Sequence, residues 1–342
     1  MSPNPLVGAV IVRDGETIGE GFHAEYGGLH AERAALADAA RRGEDVAGAT
    51  MYVTLEPCAH QGRQPPCVEA LIEADLGRVV IAAGDPTAKA SGRGPDQLSA
   101  AGIKVEQIDT EDELAVAARL LNQAFRKHGI CGLPLVVLKT AMSLDGRTAT
   151  PPDTSPWISG ERSRELVHVW RGECDAIAVG IGTVLADDPL LTARLGDARQ
   201  PARIVFDPAA RLPLDSQLLA TTSEAPLTVV HAPEAYPRRL EALLAAGAET
   251  IAAAGATPAE RVRAALGELG RRGLTSLLLE GGATLAGAFA AAGQIDEARV
   301  FVAPLILGGD APDLPPARLE GGPSRAETVG EDTLIRTRFK EW

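Results

Sequence analysis

His30-Ala31-Glu32, then Pro57-Cys58, then Cys67 are the residues of this chain whose types and spacing are best suited to chemistry. One imidazole and two thiolates hold Zn²⁺ and leave its fourth position for water, while a carboxylate that is not a ligand moves protons. Zinc lowers the pKa of such a water from about 16 to about 7, so hydroxide is on hand at neutral pH. Glu32 is the group to take that proton and deliver it to a departing amine. The same residues suit two plainer roles: buried packing, or a structural zinc completed by a fourth protein ligand, for which His23 and His60 are available.

Each of these residues falls where an element starts or stops. His30 and Glu32 open an apolar-periodic helix over 30–42, Cys58 follows a strand over 51–55, and Cys67 begins another helix. A helix N-terminus favours a thiolate through its dipole and its exposed N–H groups. The thiols are separated by eight residues where the general deaminase signature has two, and the insert 59–66 carries His60 and Arg63, both able to face a substrate.

Around this centre the chain alternates strands with helices. A first strand enters at the N-terminus, Asp14-Gly15 turns it, and 17–22 returns antiparallel. A strand over 78–83, a short helix near 95–101, a strand over 103–108 and a long helix over 111–127 follow. This predicts an α/β sandwich with a mainly parallel centre and an antiparallel edge hairpin. The stretch 128–134 breaks the pattern, placing domains at 1–130 and 131–342. The second α/β unit starts with a strand at Leu135 and has helices over 161–171, 238–246 and 258–271. Its further strands are expected over 176–180, 202–206, 227–230, 276–279, 298–303 and 333–340, and Glu280-Gly281-Gly282 opens a helix through 291. The Ala-rich stretch 242–256 keeps helix and turn signals.

A chain of 342 residues with 45% hydrophobic and 23% charged residues is long enough for two globular domains, each with its own core. A formal net charge of −13 argues against non-specific binding to nucleic acid or to an anionic membrane, although a few local Arg, Lys and N–H groups suffice for one phosphate. No run has the apolar length of a membrane span, and the N-terminus lacks a basic-then-apolar signal pattern. Four cysteines, two of them in the zinc pattern, do not make a disulfide framework. Cys131 and Cys174 read as small packed residues, and a reducing cytoplasm is expected.

Taken together, Asn4-Pro5-Leu6-Val7-Gly8, His23, His30-Ala31-Glu32 and the run from Thr54 through Pro57-Cys58 to Cys67 closely resemble the bifunctional riboflavin-biosynthesis deaminase/reductase family. Lys139 through Gly146, Trp157, the run from Gly182 to Pro189, Leu191 to Arg194 and Glu280-Gly281-Gly282 independently resemble that family's reductase domain. The resemblance covers nearly the whole chain in the family's order. It implies a cytidine-deaminase-like α/β/α sandwich followed by a dihydrofolate-reductase-like α/β domain. It also implies a phosphorylated pyrimidine substrate, Zn²⁺ and NADPH as cofactors, and a homo-oligomer, dimer or tetramer.

Carried onto this sequence, the resemblance makes His30, Cys58 and Cys67 the metal ligands, Glu32 the catalytic group, and Asn4, His23, His60 and Arg63 the deaminase substrate contacts. In the reductase it puts Ser155, Arg171, Leu191, Arg194 and Glu280 against the substrate. Ala141, Trp157, Ser159, Thr183, Asp187, Gly282, Ala283 and Thr284 are put against NADPH. Glycines after a strand permit close backbone approach, and the helix N-terminus suits a cofactor phosphate. Lys139 and Asp145 suit either proton transfer or a positioning role. The chain departs from the family at Thr87-Ala88, where Asn-Pro is usual, and at Ser159, where Thr is frequent. The family also has a helix before the Asn-Pro strand, whereas this chain starts three residues before Asn4, which predicts exposed core-facing surface.

Overall fold

The computed structural model describes residues 2–87, 90–150, 155, 157–196, 199–308 and 319–342, so Ala88 lies outside the described residues. They form two compact units, Met1–Gly132 with Trp342, and Leu133–Glu341.

The first unit runs β1 (Gly8–Arg13), β2 (Glu16–Phe22), α1 (Ala31–Arg42), β3 (Thr50–Val53), α2 (Cys67–Glu73), β4 (Arg78–Ile81), α3 (Arg93–Ala100), β5 (Lys104–Gln107), α4 (Glu113–Leu121) and α5 (Gln123–Cys131). The sheet order is β2-β1-β3-β4-β5, parallel from β3 to β5 and antiparallel through the β1–β2 hairpin. Asp14 and Gly15 both have positive φ, which matches the twist of a two-residue hairpin turn. Ile11, Met51, Val53, Val79 and Ile81 point from one face of the sheet into Ala31, Ala35 and Ala39 of α1, Val68 and Leu71 of α2 and Leu98 of α3. Burial of each of the larger side chains contributes about 1.5–3 kcal/mol. α1 settles directly on β2 because Gly21 has no side chain: a Cβ there would lie 2.3 Å from the Ala35 nitrogen. The opposite face is partly bare. Val10, Tyr52 and Val80 with Phe22, Leu114 and Leu121 line an apolar groove of about 1210 Å³.

The second unit runs β6 (Leu135–Ser143), α6 (Glu161–Glu173), β7 (Ala176–Gly180), α7 (Ile181–Asp187), β8 (Ala202–Phe206), α8 (Gln217–Ala220), β9 (Leu227–His231) and α9 (Pro237–Ala245). It continues with β10 (Glu249–Ala252), α10 (Pro258–Arg271), β11 (Ser276–Leu279), α11 (Ala283–Ala291), β12 (Glu297–Ala303), β13 (Arg325–Val329) and β14 (Asp332–Arg338). The described strands form one sheet of order β10-β9-β8-β7-β11-β6-β12-β14-β13. It is parallel from β10 to β12, and β14 and β13 close it antiparallel. Buried on both faces, its central strands are continuous apolar runs such as Ala176–Gly180 and Ser276–Leu279.

The structure corrects the expected elements at several points. The helix expected over 111–127 is two helices, α4 and α5, broken at Asn122, whose φ of −114° and ψ of 25° leave the helical region. α7 and the antiparallel β13 were not anticipated, and β10 lies inside the Ala-rich stretch, where parallel pairing with β9 overrides a helix-favouring composition. Cys131 is exposed rather than packed, Cys174 is half-buried, and both are free thiols. No helix of the described residues is long and apolar enough to cross a membrane.

Candidate active sites

In the first unit, three element boundaries bring the metal donors together. His30 is the N-cap of α1 in extended conformation, so its ring is aimed away from the helix it precedes. Pro66, with φ fixed near the helical value, starts α2 at Cys67. His30 Nδ1 lies 3.5 Å from Cys58 Sγ and 3.3 Å from Cys67 Sγ, and the Cys67 N–H donates to Cys58 Sγ at 3.4 Å. Among the described residues these three donors form the one group of ligand atoms lying within 4.8 Å of one another. A nitrogen and two sulfurs in such a cluster fit zinc by donor chemistry and leave one vertex of a tetrahedron unassigned. His23 is not free to fill that vertex. Its Nδ1 pairs with the Leu29 carbonyl at 2.8 Å and its Nε2 with Asn4 Nδ2 at 2.9 Å, which fixes the Nδ1–H tautomer.

The electrostatics suit a cation. The hydrogen bond from Cys67 is the main cause that holds the Cys58 thiol down, to about 4, with His30 adding to it. The Cys67 thiol is pushed up by the same hydrogen bond and by burial. The two sulfurs thus share one proton, and a divalent cation between them favours releasing it. Next to Cys58, the His30 imidazole is raised. Glu32, 4% exposed on the first turn of α1, is raised to about 7 chiefly by burial. A carboxyl group titrating near neutrality is suited to both accepting and returning a proton.

The expected substrate contacts of this unit are placed unequally. Asn4 and the buried His23 are joined, and the His23 ring stands edge-on to His30 with centroids 5.3 Å apart. His60 and Arg63 are both exposed on the 59–66 insert. Arg63 lies 4.4 Å over the Tyr26 ring, and Gln64 Nε2 donates to the Gly27 carbonyl at 2.9 Å, so the insert is tied to the loop preceding His30. Glu56 was missed by sequence reasoning. Its buried carboxylate accepts the Asp85 N–H at 3.3 Å and the Gly94 N–H at 3.4 Å, binding the Gly-rich loop to the Pro57-Cys58 strand end.

In the second unit Glu280 follows the carboxyl end of β11, the side on which open α/β sheets hold ligands, and it meets Lys139 and Arg171 there. Leu279 pairs with Leu138 of β6 and Ala178 of β7, so Glu280 emerges beside Lys139. Arg171 on α6 grips Glu280 with two bonds, Nε–Oε1 at 2.7 Å and Nη2–Oε2 at 2.9 Å, and Lys139 Nζ lies 4.0 Å from Oε2. Burial alone would raise the Glu280 carboxyl, but Arg171 and then Lys139 hold it below its ordinary value. Burial lowers the Lys139 ammonium. Asp145 sits apart from this pair. It accepts from Ser143 Oγ at 2.5 Å, Gly308 N–H at 2.8 Å and Leu307 N–H at 3.1 Å, which hold its carboxyl at about 2. That group anchors a turn and carries no proton at neutral pH.

Leu191 and Arg194, both expected on the substrate, have φ of 53° and 52°. Left-handed backbone at a branched and a long side chain is strain that the surroundings must hold. The clamp is on the residue between them: the Thr192 carbonyl accepts from Arg171 Nη1 at 3.2 Å and pairs with His168 Nδ1 at 3.1 Å. His168 was not anticipated, although its place three residues before Arg171 on one helix face was a readable signal. Arg194 is exposed at the loop's end, and Ser155, also exposed, accepts the Trp157 N–H at 3.3 Å.

The cofactor residues are spread over the same strand ends. Ala141 is on β6, Thr183 and Asp187 are on α7, and Gly282, Ala283 and Thr284 form the start of α11. α11 has no side-chain cap, and a Cβ at Gly282 would meet nothing within 4 Å, so its first N–H groups face open space that fits a phosphate. Trp157 is 60% exposed and covered on one side by Arg164, 4.9 Å over its ring, and Arg164 Nη1 also donates to the carbonyl of the buried Ser159 at 2.7 Å.

Comparison with known proteins finds a separate family match in each half of the chain. Residues 1–83 match the cytidine and deoxycytidylate deaminase zinc-binding region, and residues 134–334 match the RibD C-terminal domain. The chain is 40% identical over 308 residues to the riboflavin biosynthesis protein RibD of Actinobacillus pleuropneumoniae, covering 90% of this chain and 80% of that one. It is 38% identical over 340 residues to RibD of Aquifex aeolicus, covering 97% and 92%. Among solved structures, form 1 of Acinetobacter baumannii RibD superposes with a TM-score of 0.85 at 37% identity, covering 100% of this chain and 94% of that one. The diaminohydroxyphosphoribosylaminopyrimidine deaminase/5-amino-6-(5-phosphoribosylamino)uracil reductase of Thermotoga maritima does so with a TM-score of 0.82 at 33% identity, covering 99% and 93%. A deaminase zinc region followed by a RibD reductase domain, with full-length relatives well above 30% identity, means that the chain belongs to the RibD family of bifunctional riboflavin-biosynthesis deaminase/reductases.

Proposed function

We propose that the two units catalyse consecutive steps on one pyrimidine. The first hydrolytically deaminates 2,5-diamino-6-ribosylamino-4(3H)-pyrimidinone 5′-phosphate, and the second reduces the ribosyl side chain of the product to ribityl. The observation that carries this reading is the convergence of His30 Nδ1 and the sulfurs of Cys58 and Cys67 beside a buried Glu32 that titrates near 7.

His30, Cys58 and Cys67 would hold zinc, which when bound would supply hydroxide at neutral pH. The Glu32 carboxylate accepts the proton of the attacking water and returns it to the exocyclic nitrogen, so that ammonia leaves. Asn4, His23, His60 and Arg63 line the approach, and Arg63 suits the substrate phosphate.

In the second unit the start of α11 and the ends of β6 and β7 would hold a nicotinamide cofactor, which when bound would supply the hydride. Reduction at ribose C1′ breaks its bond to the ring oxygen, and that oxygen needs a proton. Lys139, its ammonium lowered by burial beside Glu280, is the group to give it. Arg194 and the strained Leu191 face the substrate, and Glu280 is held ionised by Arg171 to accept its hydroxyls. A homo-oligomer and a cytoplasmic location complete the reading. The bare apolar face of the first sheet supports the former, and the net charge of −13 with four free thiols supports the latter.

Supplying the diaminopyrimidinone phosphate to the full chain tests both steps by mass. Without NADPH the product exchanges one NH for one oxygen; with NADPH it gains two further hydrogens. NADPH oxidation with no prior loss of ammonia would refute the order.

A further inference from the structure

Asn122 stands at the break between α4 and α5, is 4% exposed, and makes a reciprocal pair of hydrogen bonds with one residue of the N-terminal segment. Its Oδ1 accepts the Leu6 N–H at 2.8 Å and its Nδ2 donates to the Leu6 carbonyl at 2.8 Å. A primary amide offers a donor and an acceptor side by side, as the N–H and C=O of one residue in a strand do, so the side chain takes the place of a strand rung. The segment it grips leads into β1, and its other edge is tied by the His23 N–H to the Val7 carbonyl at 3.0 Å. Two residues before Leu6 is Asn4, whose Nδ2 meets His23 Nε2 at 2.9 Å. The His23 ring in turn stands edge-on to the metal donor His30.

We infer that Asn122 is a positioning residue of the deaminase: by holding both polar groups of Leu6 it sets Asn4 against His23 at the substrate mouth. The inference rests on the reading of Asn4 as a substrate contact. Neither Asn122 nor Leu6 need touch the substrate, since a small misplacement of a contacting group by a distant residue is enough to lower turnover strongly.

The test uses the full chain with Asn122→Ala, Asn122→Asp, Asn4→Ala and the double variant Asn4→Ala/Asn122→Ala. For each, deaminase kcat and KM, bound zinc, and reductase kcat and KM on the deaminated intermediate are measured. Asn122→Ala is expected to raise the deaminase KM about tenfold with zinc retained and reductase constants within about twofold. Asn122→Asp, which keeps the acceptor for the Leu6 N–H, is expected to fall between it and the parent. Added to Asn4→Ala, Asn122→Ala should change the KM by less than about twofold, since the group it positions is gone. An impaired Asn4→Ala beside an unchanged Asn122→Ala would overturn this role alone. An unchanged Asn4→Ala would overturn the reading of Asn4 and this role with it. Multiplicative losses in the double variant, or loss of zinc or of both activities in the Ala and Asp variants alike, would also overturn it.

Discussion

Glu32 and Asp145 show how burial and partners divide carboxylates between chemistry and anchoring. Glu32 is buried and raised to about 7, which is where a group that must both take and return a proton works best. Glu32→Gln keeps the shape and removes the proton carrier, so deaminase kcat is expected to fall by about 10²–10⁴-fold. Zinc content by metal analysis and NADPH oxidation on the deaminated intermediate should be unchanged. Asp145 is the opposite case. Its three donors depress the carboxyl from 3.8 to about 2. A depressed folded-state pKa means the unfolded chain binds the extra proton first. Stability from this carboxylate is therefore present above about pH 4 and lost as pH falls toward 2. Asp145→Asn should lower the urea midpoint at pH 7, with the difference from the parent shrinking through that window. A difference that stays constant down to pH 2 would be incompatible with this assignment.

At the scale of elements, α6 supports the reductase site from one face. Arg171 and His168, three residues apart, reach Thr192 together, and Arg171 also holds Glu280. Breaking a buried pair by removing one partner typically costs about 3–5 kcal/mol, because the remaining charge is left unpaired. Arg171→Met is expected to lower the unfolding free energy of the reductase unit by an amount near that range. It should also raise the reductase KM, because the left-handed backbone at Leu191 and Arg194 loses one of the two groups that clamp it. Denaturant titration combined with NADPH-oxidation kinetics checks both; a stability loss with an unaltered KM would separate α6 from the loop. The helix N-caps of the first unit work similarly, since His30 and Cys67 are aimed by where α1 and α2 begin.

For the whole molecule, each unit has its own core and its own site residues. Metal removal should therefore act on one activity. Prolonged chelation is expected to abolish ammonia release and leave NADPH oxidation on the deaminated intermediate intact, with zinc restoring the former. Parallel loss of both activities would contradict the assignment of the metal to the first unit alone. On the proposed reading, the charge of −13 leaves recognition of a phosphorylated substrate to local cations such as Arg63 and Arg194, and salt is then expected to raise KM more than it lowers kcat.

The sequence by itself singled out the candidate metal donors, the candidate proton carrier and most elements of both units, because these depend on residue type and on short-range periodicity. His30, Glu32, Cys58 and Cys67 are legible as a set since zinc chemistry constrains ligand type at fixed spacing. Glu280-Gly281-Gly282 is legible since a strand must turn before its helix. The tertiary structure decided what depends on partners distant in the chain. Asn122 stands at a break in a helix that periodicity runs straight through, with its side-chain amide on Leu6, a residue 116 positions away. β10 forms in an Ala-rich stretch because β9 offers it a ladder. His23 is kept from the candidate metal vertex because Asn4 and Leu29 occupy both its nitrogens. Lys139 and Asp145, alike in the sequence as candidates for proton transfer, part company because one is buried beside Glu280 and the other is saturated with donors. Hydrogen-bond partners and burial are properties of the folded chain, and no local window of residues contains them.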